Sequence, residues 1–333
     1  MHTALYFEKR NEKLRCLLCP HHCLLAEGET GICGVRKAVD EVLYTMNYGL
    51  LAAVNLDPIE KKPLYHYHPG RPILSIGTYG CNLLCSFCQN WSLARGKADD
   101  RSERVKPEDV LDMLKREGGP AQNIGIAYTY NEPSIWYEFV LDTAKLLNRH
   151  GYKNILVTNG YINQEPLREL LPYIDAMNID VKAFGDSFYK DYCGGLKAPV
   201  IKTVEIAVKG CHVEITSLII PTLNDNPGEL EAMAAWLAEL NPDIPLHLSR
   251  YFPQYRLNLP PTPHAVMEEA KKIASKHLRY VYLGNIELPG SGNTICPYCG
   301  NLLIERSRYA VKMKGLDGSA CSNCNNNISI VLS

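Results

Sequence analysis

Cys81, Cys85 and Cys88 stand in the stretch TYGCNLLCSFCQNW at C-x3-C-x2-C spacing. Three thiolates so close together suit three corners of an iron–sulfur cube and leave one iron open, whereas an electron-carrier cluster or a structural zinc ion takes four protein ligands. No fourth cysteine stands nearby in the chain, so the spacing points to a site that binds something exchangeable. Two plainer readings stay open at this point: three buried core cysteines, or a zinc site completed by a distant ligand.

Eight further cysteines fall into two sets. Cys16, Cys19, Cys23 and Cys33 lie in CLLCPHHCLLAEGETGIC as C-x2-C-x3-C-x9-C. Zinc and an auxiliary iron–sulfur cluster are both compatible with that spacing. Cys296, Cys299, Cys321 and Cys324 form two C-x2-C knuckles, CPYCG and CSNC, a four-thiolate signature of a zinc ribbon or rubredoxin-like clip, with Gly300 in the turn that aims amides at sulfur. Here zinc is the expected metal. Cys193 and Cys211 stand alone and read as small buried apolar side chains.

The 333 residues carry 35 Lys and Arg against 36 Asp and Glu, a formal net charge of −1, with the basic residues dispersed. Such a chain offers no stripe for nucleic acid. No apolar run is long enough to span a membrane, and MHTALYFEKRNEKLR lacks the apolar core of a signal peptide. Thirteen cysteines, eleven of them in spaced sets, then read as reduced metal ligands in a cytoplasmic protein.

Between these sets, apolar β-branched runs alternate with amphipathic stretches, the pattern of repeated βα units around a parallel sheet. Strands are expected at 73–79, 124–130, 154–159, 176–182, 212–220 and 245–251, with 280–286 as a further one. Helices are expected at 107–117, 134–149, 166–172, 198–209, 227–240 and 263–277, several opened by Pro107, Pro133, Pro166 or Pro227. In the second helix Ile135, Phe139, Val140, Thr143 and Leu147 recur at helical spacing and are expected to face the sheet. The fold class is α/β, a partial (β/α)6 TIM-type barrel with Cys-rich N-terminal and C-terminal metal-binding extensions. A doubly wound sheet is the alternative that periodicity leaves open. In either, ligands bind beyond the C-terminal strand ends. The division expected is an N-terminal metal- or cluster-binding extension over 1–70, a barrel over 71–288 and a four-cysteine module over 289–333. The Pro- and Gly-rich LDPIEKKPLYHYHPG reads as an extended connection, and its His66 and His68, alternating as on a strand, as structural.

The cysteine loop, with Phe87 just before its third cysteine and Gly80 and Asn82 about its first, resembles the cluster loop of the radical S-adenosylmethionine (SAM) superfamily. That resemblance implies a [4Fe-4S] cluster on Cys81, Cys85 and Cys88 whose open iron is chelated by SAM. YTYNEPS, with Tyr130, Asn131 and Glu132, resembles the Gly-Gly-Glu-Pro block that holds the SAM amino group, with Tyr and Asn in place of the glycines. TNGY (Thr158, Asn159, Gly160, Tyr161) and IDVK (Asp180, Lys182) are similar to blocks of the pyruvate formate-lyase activating enzyme branch. They imply contacts with the methionine end of SAM, while Val157 and Asn178 depart from that branch's monovalent-cation site. His247, in PLHLSRYFP, matches a histidine that approaches the SAM nucleoside, and a hydrogen-bonded core histidine is the competing reading. Arg250 and Tyr251 are candidates for substrate recognition at the same strand end.

The order CLLCPHHC…GICGVR, DPIEKKPLYHYHPG, GCNLLCSFCQNW, TYNEPS and CPYCG…CSNC is similar to the AmmeMemoRadiSam-system radical SAM enzymes. The resemblance implies reductive cleavage of SAM to methionine and a 5′-deoxyadenosyl radical that abstracts hydrogen from an unidentified substrate. It also implies a low-potential electron donor of flavodoxin or ferredoxin type, and association with Memo-like and AMMECR-type proteins. A glycyl-radical enzyme activase is the second reading. A non-catalytic multi-cluster electron-transfer protein is the third, and the TYNEPS and IDVK blocks speak against it, because an electron carrier needs no SAM pocket.

Overall fold

The computed structural model describes residues 1–97 and 103–332. At its centre seven parallel strands run in sequential order: β1 (Pro72–Gly77), β2 (Gly125–Tyr128), β3 (Lys153–Thr158), β4 (Ala176–Asp180), β5 (His212–Ile219), β6 (Leu246–Arg250) and β7 (Val281–Gly284). Each strand pairs with its predecessor and successor, so the sheet never reverses its winding. That order excludes a doubly wound sheet and makes the fold a partial barrel of six βα units closed by a seventh strand.

The crossover helices are α1 (Pro107–Arg116), α2 (Tyr137–Arg149), α3 (Gln164–Leu170), α4 (Lys197–Ala207), α5 (Pro227–Leu240) and α6 (His264–Ala274). Proline occupies the first turn of α1 and of α5, where its missing N–H has no helical partner to lose. In α5 the Asn226 side chain caps the amides of Gly228 and Glu229. Phe139, Val140, Thr143 and Leu147 are buried as the periodicity requires. Ile135 is buried too, but it precedes α2 in a short 3-10 turn and packs on Cys33 and Val35 of the N-terminal extension rather than on the sheet.

An eighth strand, Ala53–Pro58, lies antiparallel to β1, with Ala53 opposite Gly77 and Pro58 opposite Pro72. The sheet therefore begins ahead of residue 71, and part of the expected extended connection is a barrel strand. Downstream, Ile59, Leu64 and Tyr67 cover Ile73, Ile124, Ile155 and Ala176 at the N-terminal strand ends and close the barrel floor. His66 and His68 do not sit on a strand; the neighbouring Tyr67 makes one isolated bridge to Val331. His66 is fully buried, 2.6 Å from the Ser329 carbonyl through Nδ1 and 2.6 Å from the Tyr282 hydroxyl through Nε2.

Two small antiparallel sheets form the N-terminal extension, one containing Arg36–Val39 and Val42–Thr45, the other Phe7–Arg10, Lys13–Cys16 and Leu24–Leu25. At the other end of the chain, Leu302–Ser307 is flanked by Thr294–Ile295 and Ala310–Met313, and these pack with Tyr280 and Tyr282 beneath the floor. No helix among the described residues is long and apolar enough to cross a membrane.

Candidate active site and metal centres

A cavity of about 240 Å³ opens at the C-terminal strand ends, the end where barrel folds carry their chemistry. Cys81, Cys85, Phe87 and Cys88 line one side. Tyr130, Asn131, Glu132, Thr158, Asn159, Asp180 and Lys182 line the other, so eleven residues singled out from four separate sequence blocks meet around one space.

The loop that carries the cysteines is fastened from several directions. Asn131 accepts from the Thr78 amide at 3.1 Å and donates to the Gly80 carbonyl at 2.9 Å. Asn159 Nδ2 stands 3.6 Å from Cys81 Sγ and donates to Asn82 Oδ1 at 3.0 Å, and Asn82 donates to the Tyr161 carbonyl at 2.7 Å. Phe87 is buried 5.6 Å from the Phe188 ring. Arg95 donates to the Leu83 carbonyl. Behind the loop, Leu84 and Ser86 donate to the carbonyls of Cys193 and Tyr192 at 2.7 and 3.0 Å.

Burial pushes the thiols of Cys81 and Cys88 up, and a hydrogen bond with Cys193 together with burial raises that of Cys85. Three thiols held protonated in this way become thiolates when positive charge is bound among them, which is what a metal cluster supplies. Cys193, fully buried behind Cys85, does not line the cavity, so among the described residues only these three cysteines do.

Glu132 ties β2 to β3. Its Oε1 accepts from Thr158 Oγ1 at 2.6 Å and the Ser134 amide at 2.9 Å, and its Oε2 accepts from the Asn159 amide at 2.7 Å. A carboxylate has about four lone-pair sites, so about one stays free toward the cavity. Burial raises this carboxyl, and the bonds from Thr158, Asn159 and Ser134 pull it back. Capping the following turn and serving the cavity are thus roles of one side chain.

Tyr130 adopts φ +71°, the left-handed region that favours glycine. The backbone keeps the shape of a glycine at this position. The ring is held by donation from its hydroxyl to Asp57 at 2.9 Å and by the Lys62 ammonium 4.8 Å from its centroid. Burial alone would raise Asp57, yet Lys62 and Lys61 hold it well below the usual carboxylate range. Asp57 and Lys62, from DPIEKKP, were not singled out from the sequence as partners of Tyr130. Their signal was the bulky residue at a glycine position.

Lys182 donates to Asp180 at 2.9 Å. Burial works against its charge, but Asp180 beside it keeps it protonated well above its ordinary range. It is a cation ready for a carboxylate. Val157 also lines the cavity, whereas Asn178 sits lower, bonded to Thr216 Oγ1 at 2.9 Å and the Pro63 carbonyl at 2.8 Å.

His247 is not brought to the cavity. Ser249, two residues further along the same face of β6, lines it, which leaves His247 about 7 Å deeper. There its Nε2 meets Glu214 Oε2 at 2.6 Å. Burial alone would raise Glu214, but His212 and His247 hold it far below the carboxylate range, and the amides of Tyr65 and His66 also donate to it. The core-histidine reading describes this residue. Tyr251 is buried with its hydroxyl on the Leu257 carbonyl, and Arg250 Nε donates to the Thr262 carbonyl at 2.7 Å.

The two remaining cysteine sets differ. Sulfurs of Cys296 and Cys324, and of Cys299 and Cys321, stand 3.6 Å apart, and all four lie within 4.8 Å of one another, an arrangement able to hold one metal ion. Gly300, at φ +76°, closes the first knuckle by donating to the Cys296 carbonyl. Cys16, Cys19, Cys23 and Cys33 line one narrow cavity of their own. Among the described residues no other three candidate ligands are mutually as close as the C-terminal four.

Comparison with known proteins places these features. The family model described as the Radical SAM superfamily matches residues 75–237. An uncharacterized protein of Methanocaldococcus jannaschii is 42% identical over 340 residues, covering 100% of both chains. A pyruvate formate-lyase-activating enzyme of Clostridium pasteurianum is 32% identical over 167 residues, 46% of this chain and 65% of that protein. Among solved structures, Streptococcus suis SuiB bound to precursor peptide SuiA superposes with a TM-score of 0.51 at 13% identity, covering 69% of this chain and 52% of that one, a likeness of fold.

Proposed function

Because the chain belongs to the Radical SAM superfamily, we propose that it binds a [4Fe-4S] cluster on Cys81, Cys85 and Cys88 and cleaves SAM reductively in the adjoining cavity. When bound, the cluster supplies the electron that splits SAM into methionine and a 5′-deoxyadenosyl radical, which abstracts hydrogen from a substrate. The protein's part is positional. The free acceptor site of Glu132 suits the SAM ammonium, and the Lys182 cation suits its carboxylate. Phe87 and Val157 keep the space between them apolar. The observation that carries this reading is the convergence of three thiols with no fourth, one partly free carboxylate and one lysine on a single cavity.

The motif order supports membership of the AmmeMemoRadiSam group, with Memo-like and AMMECR-type partners, a low-potential donor of flavodoxin or ferredoxin type, and a cytoplasmic setting. We assign zinc to the C-terminal knuckles, since a tetrahedron with Zn–S of about 2.3 Å has edges of about 3.8 Å, close to the 3.6 Å separations found. A second reading, glycyl-radical activase, draws on relatives named as activating enzymes, including the isethionate sulfite-lyase activating enzyme of Nitratidesulfovibrio vulgaris, 25% identical over 167 residues.

The test is anaerobic reconstitution, reduction, and assay for 5′-deoxyadenosine, with Cys85→Ala alongside. The variant should yield none while retaining its zinc. Turnover equal to that of the unmodified protein would show that the cluster is misassigned.

A further inference from the structure

We propose that Cys16, Cys19, Cys23 and Cys33 hold a second iron–sulfur cluster, of the four-thiolate cubic type, which relays electrons to the cluster on the Cys81–Cys88 loop. The relay rests on the function proposed for that loop; the cluster itself does not.

The spacing of the sulfurs separates iron–sulfur from zinc. One zinc ion draws four sulfurs onto a tetrahedron with edges of about 3.8 Å. The C-terminal knuckles reach that closeness without difficulty. At the N-terminus the four cysteines line a common cavity, yet no three of their sulfurs lie within 4.8 Å of one another. Cys81, Cys85 and Cys88 line their own cavity and likewise do not gather as the C-terminal four do. A cube places each thiolate on a different iron, so its ligands stand farther apart than those of a single ion. Sets meant for one metal and for several are thus built differently within one chain.

The surroundings fit a charged cluster. Leu18 and Ile135 supply apolar walls. Arg36, 1% exposed, brings Nη1 to 3.9 Å from Cys16 Sγ, and its buried Nε has no partner. A buried cation beside thiolates offsets the negative charge that ligation would leave there.

Position supplies the role. His21, between the ligands Cys19 and Cys23, places Nε2 2.7 Å from the carbonyl of Asn82, the residue after Cys81. A β-carbon at Gly80 would stand 2.6 Å from the Cys33 carbonyl oxygen, so only glycine lets the two cysteine segments touch. On the outer side Ile32, which also lines the cavity, is 45% exposed and Cys23 is partly exposed, which leaves an approach for a carrier. In the relay, a low-potential one-electron carrier of the ferredoxin or flavodoxin class loses one electron as the N-terminal cluster gains it. The N-terminal cluster is then reoxidised as the loop cluster is reduced. No bond forms or breaks and no proton moves.

The test uses the full chain, reconstituted without oxygen. With Cys81→Ala, Cys85→Ala and Cys88→Ala combined, about four irons and four sulfides per chain should remain, with an electron paramagnetic resonance signal after dithionite. Absence of iron, with about two zinc ions per chain, would overturn the assignment. The Cys19→Ala/Cys23→Ala double variant should reduce its loop cluster about tenfold more slowly with a flavodoxin-type carrier but unchanged with dithionite, and equal rates with the carrier would sink the relay. Should that variant misfold, His21→Ala keeps every ligand and should slow carrier-driven reduction severalfold. Failure of the SAM-cleaving reading looks different: a reducible N-terminal cluster in a protein that makes no 5′-deoxyadenosine.

Discussion

The N-terminal and C-terminal four-cysteine segments are anchored to opposite ends of the barrel by the same device. Arg36 pairs with Glu138 of α2, and Arg306 lies 3.6 Å from Glu60 under the floor; all four side chains are buried. The two segments part in what the arginine and the sulfurs do next. Arg306 donates to the Tyr65 carbonyl and to Thr294, serving packing alone, while Arg36 turns toward Cys16. Sulfurs at the floor gather to within 4.8 Å, and those beside the cluster loop stay apart. The lesson is that a count of four cysteines says nothing about how many metals they surround. The backbone between the ligands decides it: two tight knuckles converge on a point, whereas a ligand set spread from a strand end at Cys16 to a turn at Cys33 encloses a volume.

That contrast can be broken most forcefully at the floor. Cys321→Ser, or prolonged chelation, should release one zinc ion and unfold the module that packs on Tyr280 and Tyr282. Structural zinc carries about 10 kcal/mol of apparent binding free energy in small domains, so thermal melting should drop by well over about 10 °C. Iron content at the other end should be unaffected; a parallel loss of iron would show that the two ends fold as one unit.

Next in size is Arg36→Met. It leaves Glu138 buried beside Leu5, whose amide donates to it at 2.7 Å, without its cation. A loss of about 3–5 kcal/mol is expected in urea unfolding. A loss below about 1 kcal/mol would mean that the pair does not anchor the N-terminal segment.

A smaller effect comes from pH. Burial pushes His66 from its ordinary value of 6.5 down to about 4. Between those values the unfolded chain binds the proton and the folded one does not. Stability should therefore fall as pH drops from 6.5 toward 4, by at most about 3 kcal/mol, and level off below. Urea midpoints measured across that range should show the slope, and His66→Asn should diminish it. An unchanged slope in that variant would place the sensitivity away from the floor.

The smallest expected change is Tyr130→Gly. Relief of a left-handed φ gains about 1–2 kcal/mol, while the hydrogen bond to Asp57 and the contact with Lys62 are each worth about 1 kcal/mol. The net change should stay within about 1 kcal/mol. A loss above about 3 kcal/mol would show that the DPIEKKP segment depends on this ring for its fold.

Much of this could be read from the chain. Every crossover helix falls within a few residues of its expected place, because proline starts and apolar periodicity are local signals. The cavity residues were legible for a related reason: most stand at the end of a strand in a short block of unusual composition. His247 was not, since residues two apart on one strand share a face and differ only in depth, and depth depends on where the barrel floor lies. Ala53–Pro58 was hidden by the Pro-rich segment it runs into, although it pairs along the open edge of β1. Tyr130 lies too far from Asp57 and Lys62 in sequence for any window to join them.

Ligand types, the number of βα units and the three-thiol loop were determined by the sequence alone, since each depends on residues close together in the chain. Only the tertiary structure decided which cysteine sets gather their sulfurs tightly, that His247 serves Glu214 below the cavity, and that Gly80 brings the N-terminal segment against the cluster loop. Those outcomes turn on distances between segments far apart in the chain, and such distances are set by packing that no local pattern encodes.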